Sequence, residues 1–256
     1  MAFRGGGFVV QRRRTSALIF FMLWLSAWEA AIRFNLISPL FLPAPTTIVL
    51  TLKSMLVSGE LWLHVRVSLV RVVIGWSLGT VVGLIIGIAV GLWSTMRAVG
   101  IPVVAALFSV PKIALMPLFV VWLGIGELPK IMTIALGVGF PTIINAYSAI
   151  DAAPRNLIRM AQSFNLPYWA IVWKVLLPSA LSAIVAGFRI TTSIALILLV
   201  SAEMLGAQHG LGALILGAGN MMLTERLLAG VVLLSILGLT LSWGITRLER
   251  RVARWR

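Results

Sequence analysis

Cysteine is absent from this sequence, which excludes disulfides, thiolate nucleophiles and cysteine-ligated metal centres. Acid is scarce as well: seven aspartates and glutamates stand against 21 lysines and arginines, a formal net charge of +14 at pH 7. Acids this few, lying mostly at the ends of apolar runs, argue against the clustered carboxylates of a membrane-embedded enzyme. Only two histidines occur, His64 and His209, and their distance in sequence reads against a zinc site or a catalytic triad. No G-x-x-x-x-G-K-[ST] phosphate loop is present, so the chain is not expected to bind and hydrolyse ATP itself. No internal repeat stands out of the kind that builds many secondary carriers.

What is abundant is apolar. Hydrophobic residues make up 60% of the 256 and charged residues 11%, where soluble domains run at roughly 45–50% and about 25%. Uncharged runs long enough to cross ~30 Å of hydrocarbon recur along the chain. They predict one all-α, polytopic membrane domain of about six transmembrane helices. The basic balance follows topology rather than marking a nucleic-acid footprint. Arg4, Arg12, Arg13 and Arg14, then Arg97, then Arg155, Arg159, Lys174 and Arg189, and last Arg247, Arg250, Arg251, Arg254 and Arg256 fall on one side when six spans are threaded. The positive-inside rule makes that side cytoplasmic, with attraction to anionic headgroups a secondary effect. Residues 1–15 then read as a basic, flexible cytoplasmic N-terminus, residues 16–246 as the membrane domain and residues 247–256 as a basic cytoplasmic tail.

The apolar run at 16–32 is too long for a cleaved signal core and reads as a first span, with Glu29 near its outer end. Residues 34–64 open with Pro39, Pro43 and Pro45 and then place Ile48, Val49, Leu52, Met55 and Leu56 at helical spacing, an amphipathic helix on the outer face. The second span, 67–93, carries Gly75, Gly79, Gly83, Gly87 and Gly91. Small residues at every fourth position form a ridge that another helix can approach closely, within the subunit or across a dimer. Arg66 and Arg71 near its outer end are expected to snorkel.

After a turn at 94–99, a third span at 100–123 is interrupted by Pro102, Pro111 and Pro117. Such breaks are tolerated at membrane depth where protein or a water-filled cavity receives the freed carbonyls. Lys112 lies between two of them, ~18 Å from the inner end at 1.5 Å per residue. An ionisable group at that depth is a functional candidate; facing the pathway it would favour an anionic solute, and otherwise it pairs locally. A fourth span covers 131–150. The fifth, 184–204, contributes Thr191, Thr192 and Ser193, whose hydroxyls ordinarily bond their own helix, and Glu203 at its outer end. With Lys112, Pro111 and Pro117 these are the candidates for a pathway or gate. Residues 206–226 read as a loop with a short helix dipping back at the outer face, and 227–245 as the last span.

Between the fourth and fifth spans lies a soluble-looking passage, 151–178. Pro154 can open a helix that carries Leu157, Met160, Ala161 and Phe164 on one apolar stripe. Asn165 tolerates the left-handed conformation that ends helices, and Leu166 before Pro167 is pushed toward extended geometry. Pro167 starts a second helix, which Pro178 stops or kinks. The product is a corner presenting Met160, Phe164, Leu166, Tyr168 and Trp169, on which a partner could dock.

This passage resembles the cytoplasmic coupling loop of ABC importer permeases, a family whose motif reads E-A-A, then G, then I or V and L-P. Arg159, Met160, Ala161, Asn165, Val175, Leu177 and Pro178 take those positions, with Arg159 in place of the acid and Asn165 in place of the glycine. The stretches LPAPTTIV at 42–49, SVPKIALMPLFVVWLGIGELPK at 109–130 and SAEMLGAQHGLG at 201–212 are similar to the branch serving nitrate, sulfonate and taurine. The resemblance implies the MetI-like fold of type I importers and a homodimeric permease in a bacterial inner membrane, both termini cytoplasmic. It also implies an ATPase that holds ATP and Mg and docks on 151–178, an outer solute-binding protein, and a small anionic organic solute. An ion-coupled carrier or channel that needs no ATPase is the alternative.

Overall fold

The computed structural model describes residues 2–4, 7–9 and 14–253, with side chains for 16–251. Residues 254–256 of the basic tail lie outside the described residues. The N-terminus, read from its sequence as flexible, holds two short strands, β1 (Ala2–Arg4) and β2 (Gly7–Val9), paired antiparallel with Phe3 opposite Phe8. All other regular structure among the described residues is helical.

Helix α1 (Arg14–Arg33) leaves Leu18 to Trp24 uncovered. It joins the rest through Trp28, which packs on a cluster of Ile48, Met55, Leu214 and Ala229. Glu29 is tied rather than merely interfacial: it accepts hydrogen bonds from the backbone N–H (3.1 Å) and hydroxyl (2.8 Å) of Thr46, in the first turn of α2 (Pro45–Val57). A carboxylate there satisfies an orphan donor and faces the positive end of the helix.

The outer helix is shorter than its sequence suggested and the second span longer. Gly59, at φ +79°, turns the chain, and α3 runs from Glu60 to Leu92. The chain turns from α3 into α4 (Ser94–Phe108) at Trp93, so residues 94–99 are helix and not a turn. Pro102 lies inside α4; the break comes at Pro111, where a 3-10 turn (Lys112–Leu115) leads into α5 (Met116–Leu123) at 84° to α4. Counting that bent pair as one span, the chain has six helical spans by length and composition.

Helices α3, α6 (Leu128–Asp151) and α9 (Leu177–Gly206) form the centre. Val72, Ile134, Val138, Ala195, Leu199, Leu211 and Leu237 make one buried cluster, and Ala149, Ile150, Ala180, Ile184, Val185 and Phe188 another. The glycine ladder lies against α6 within the subunit. A Cβ on Gly83 would stand 2.7 Å from the Gly139 carbonyl oxygen, and one on Gly87 2.7 Å from that of Ile143. Most large apolar side chains on the outer surface are uncovered, as a bilayer solvent requires of a span's outer face.

The remaining elements are α7 (Arg155–Ser163), α8 (Tyr168–Ile171), α10 (Leu211–Asn220) and α11 (Thr224–Ala253). Pro178 does not stop the second helix of the corner. A π turn at Val172–Leu176 covers Lys174, the residue four before the proline, and the chain continues into α9 as one helical run from Tyr168 to Gly206. Widening the turn upstream relieves the clash and missing hydrogen bond that a proline brings to a helix interior.

Candidate functional site

The 151–178 corner forms as its residues dictate. Pro154, extended at ψ 113°, precedes α7, and α7 ends in a left-handed Asn165 at φ +54°. The Leu166 N–H reaches back to the Ala161 carbonyl (3.2 Å) and that of Asn165 to Gln162 (2.9 Å), which closes the helix end. Pro167, extended, then opens α8. Of the apolar stripe only Ala161 turns inward, at 3% exposure. Met160, Phe164, Tyr168 and Trp169 are exposed, Leu166 is half-buried, and Arg159 and Asn165 are exposed beside them. Leu177 and Pro178 begin α9.

The corner is fastened to the ends of the central helices. The Tyr168 hydroxyl donates to the Leu92 carbonyl at 3.3 Å, and Trp169 meets Trp93 edge to face at 6.4 Å. Arg97 pairs with Asp151 at 2.9 Å, donates to the Gly91 carbonyl and lies over the Tyr147 ring. The last turn of α3, the start of α4 and the end of α6 therefore hold the corner from behind, leaving its apolar side chains outward.

At the opposite end of α3, α6 and α9 the structure builds a centre whose members are scattered in the sequence. Arg71, 2% exposed, does not snorkel, because its charge is met inside the protein. Its guanidinium forks onto Glu127 (Nε to Oε2 2.5 Å, Nη2 to Oε1 2.7 Å), and Nη1 donates to Glu203 (2.9 Å) and to the His209 carbonyl (2.6 Å). Four of the five donors are used, two of them in the bidentate geometry only arginine supplies. Glu203 is 1% exposed and also accepts from Ser68 Oγ and the Gly212 N–H. The Ser68 hydroxyl in turn receives the Leu211 N–H at 2.8 Å. Gly210, at φ +133°, is the one residue the loop can use here, since a Cβ would press on the Glu203 carboxylate and the Arg71 guanidinium.

Arg71 and Lys130 balance Glu127 and Glu203, two cations against two acids. The Arg71 guanidinium bonded to Glu127 holds that carboxyl below the usual carboxylate range, with Lys130 adding to the effect and burial opposing it. Beside this centre opens a cavity of about 550 Å³, with Arg66, Lys130, Gln208 and His209 on its wall. The two histidines, far apart in sequence, stand with ring centroids 5.9 Å apart, and His64 Nδ1 lies 2.9 Å from the Gly210 carbonyl oxygen. No group of three metal-ligating side chains occurs among the described residues.

Sequence reasoning missed Ser68, Arg71 and Glu127 as members of this centre. The signal was Arg71 itself. With α3 starting at Glu60, Arg71 lies ~16 Å along the helix, where an ionisable residue implies a partner.

The other pathway candidates do not converge. Lys112 is 9% exposed, and its ammonium donates to the carbonyls of Leu107 (2.9 Å), Phe108 and Val110 (2.7 Å), over the rings of Phe108 and Phe140. It thus caps the end of α4 at the bend, with Pro111 and Pro117 exposed on either side. Thr191 and Thr192 are buried and donate to the Phe188 carbonyl, Thr191 also accepting from the Trp76 indole at 3.1 Å. Ser193 is exposed and donates to Arg189. Residues Gly75 to Gly79 have the G-x-S-x-G spacing of a nucleophile elbow, but that device needs a strained strand-to-helix turn. Here Ser77 stands exposed in the interior of α3.

Residues 79–254 match the family described as binding-protein-dependent transport system inner membrane component. A Bacillus subtilis (strain 168) protein named for aliphatic sulfonates transport is 34% identical over 232 residues, 91% of this chain and 84% of that protein. The taurine transport system permease protein of Escherichia coli (strain K12) is 34% identical over 236 residues, 90% of this chain and 86% of that protein. Among solved structures, an inward facing conformation of the MetNI methionine ABC transporter aligns with a TM-score of 0.64 at 25% identity, over 74% of this chain and 94% of that one.

Proposed function

Because this chain belongs to the family of binding-protein-dependent transport system inner membrane components, we propose that it lines the translocation path of an ATP-driven importer for small aliphatic sulfonates such as taurine. Two copies form the path, each docked by a cytoplasmic ATPase that holds ATP and Mg, and an outer solute-binding protein delivers the substrate. Both termini and the 151–178 corner face the cytoplasm, in keeping with the arginines gathered there. The substrate class rests on the names of the relatives.

One observation carries the mechanism. The exposed corner and the Arg71–Glu203 centre stand on one uninterrupted helical run, Tyr168–Gly206, 39 residues or ~58 Å at 1.5 Å per residue. A push on Tyr168 and Trp169 by the closing ATPase pair is delivered to Glu203 without an intervening loop, and one on Phe164 enters the same run through the turn at 165–167. Packed interfaces have discrete arrangements rather than continuous ones, so such a run switches between states. Inward- and outward-open forms are then two seatings of α9 against α3 and α6.

The test is reconstitution of the chain with its ATPase and solute-binding protein in liposomes. ATP inside and taurine-loaded binding protein outside are expected to drive accumulation. Taurine movement by the chain alone under an ion gradient would discard the reading in favour of a carrier.

A further inference from the structure

We propose that the last turns of α11 form a binding site for the phosphate headgroup of an anionic phospholipid, which fixes the end of the last span at the bilayer surface. A recess of about 400 Å³ lies there among Trp243, Thr246, Arg247, Arg250 and Arg251. These residues recur at helical spacing along one face of α11, three of them permanently cationic.

The acid that could neutralise the face is turned away. Glu249 pairs with Arg189 of α9 at 2.6 Å, and among the described residues Arg247, Arg250 and Arg251 meet no acid. Thr246 donates its hydroxyl to the Ser242 carbonyl, so the open donors in the recess are guanidinium N–H groups. Several guanidiniums converging on one recess are the donor set that a phosphate's fixed oxygens satisfy by paired hydrogen bonds.

The placement selects a lipid over a soluble phosphate. Trp243 is 63% exposed at the end of an apolar span, where an indole settles at the boundary of acyl chains and headgroups. Arg250 and Arg251 follow two turns later, ~11 Å along the axis, within headgroup depth. Arg247 lies over the Trp243 ring at 5.1 Å, which joins the apolar contact to the charged one. A diester phosphate on a glycerol backbone touches both, the acyl end on Trp243 and the phosphate on the arginines.

The test is native mass spectrometry of the full-length chain in detergent, titrated separately with phosphatidylglycerol and with phosphatidylcholine of the same acyl chains. One phosphatidylglycerol per copy is expected to bind in preference, weakening about fivefold for each arginine replaced by glutamine in R247Q, R250Q and R251Q, the size expected for one basic residue at an anionic surface. Should one of these variants fail to fold, the others and Trp243→Leu, which removes the apolar contact alone, give the same reading. Equal binding of the two lipids, or variants that bind as the wild type does, overturns the proposal. So does displacement of the lipid by millimolar inorganic phosphate, which would mark a soluble-anion site. Retention of lipid by the variants with loss of the co-purifying ATPase would make the patch a protein contact, and also overturns it.

Discussion

Arg71 and Glu203 lie 132 residues apart in sequence and 2.9 Å apart in the structure, both almost wholly buried. Their contact joins the second span to the end of the fifth and fixes the turn into α10, because the same carboxylate accepts from the Gly212 N–H and the same guanidinium donates to the His209 carbonyl.

Removing one partner of such a pair leaves an uncompensated buried charge, which costs roughly 3–5 kcal/mol, whereas replacing both with apolar residues of similar volume is often neutral. Arg71→Met and Glu203→Met are each expected to lower the unfolding temperature sharply in detergent, and the double variant to recover much of the loss. Equal losses that add in the double variant would show that the two side chains act separately. The Arg71→Met loss includes that of the fork on Glu127, so Glu127→Gln is the control that apportions it.

Glu127 gives this centre a definite response to pH. Its folded value lies below its unfolded one, ordinarily about 4.3 for a glutamate. Ionised Glu127 therefore stabilises the fold at all pH above the unfolded value, and the contribution is lost as pH falls through the lowered folded value. The difference in unfolding temperature between wild type and Glu127→Gln is expected to be constant from neutral pH down to the ordinary carboxylate range and to shrink only below it. A difference that fades near neutrality would mean that Arg71 does not govern this carboxyl.

The spans were legible because lipid admits few solutions: long uncharged runs are helices, and prolines and left-handed asparagine punctuate them. The corner at Asn165 was legible for the same local reasons. Arg71 was not, since its meaning depends on Glu127 and Glu203, which are distant in sequence. Its helix also starts at Glu60, where the residues before Val67 look too polar to belong to a span. Of the two outcomes read for Pro178, a stop or a kink, the stop did not occur, for a related reason. A proline reads as a stop when the helix upstream is assumed regular, and the π turn that accommodates it leaves no mark in composition.

The glycine ladder separates space from conformation. Gly83→Ala places a Cβ against the Gly139 carbonyl and the Thr142 side chain, both held in α6, and overpacking of that kind costs roughly 1–3 kcal/mol. Gly244 also lies in a helix, but nothing stands within 4 Å of its would-be Cβ. Gly244→Ala is therefore expected to be neutral or to stabilise by about 0.5–1 kcal/mol, since alanine is the better helix former. Thermal unfolding of the two variants in parallel checks the contrast, and equal effects would mean that the α3–α6 approach is looser than it stands here.

The corner is the place where stability and coupling can be told apart. Phe164 is 74% exposed and contributes little to the fold of the isolated chain, so Phe164→Glu should leave its unfolding free energy within about 0.5 kcal/mol of wild type, as for an ordinary surface change. In the assembled importer the same carboxylate would be buried unpaired against the ATPase, a desolvation cost that weakens docking strongly. The expected result is intact folding, normal insertion and loss of both ATPase stimulation by loaded binding protein and coupled solute uptake. Tyr168→Phe is the milder partner: it deletes only the hydrogen bond to the Leu92 carbonyl and keeps the apolar surface, so it should loosen the seating of the corner on α3 and lower coupled uptake more than docking itself. If Phe164→Glu leaves stimulation and uptake unchanged, force enters the permease elsewhere and the continuous Tyr168–Gly206 run has no lever role.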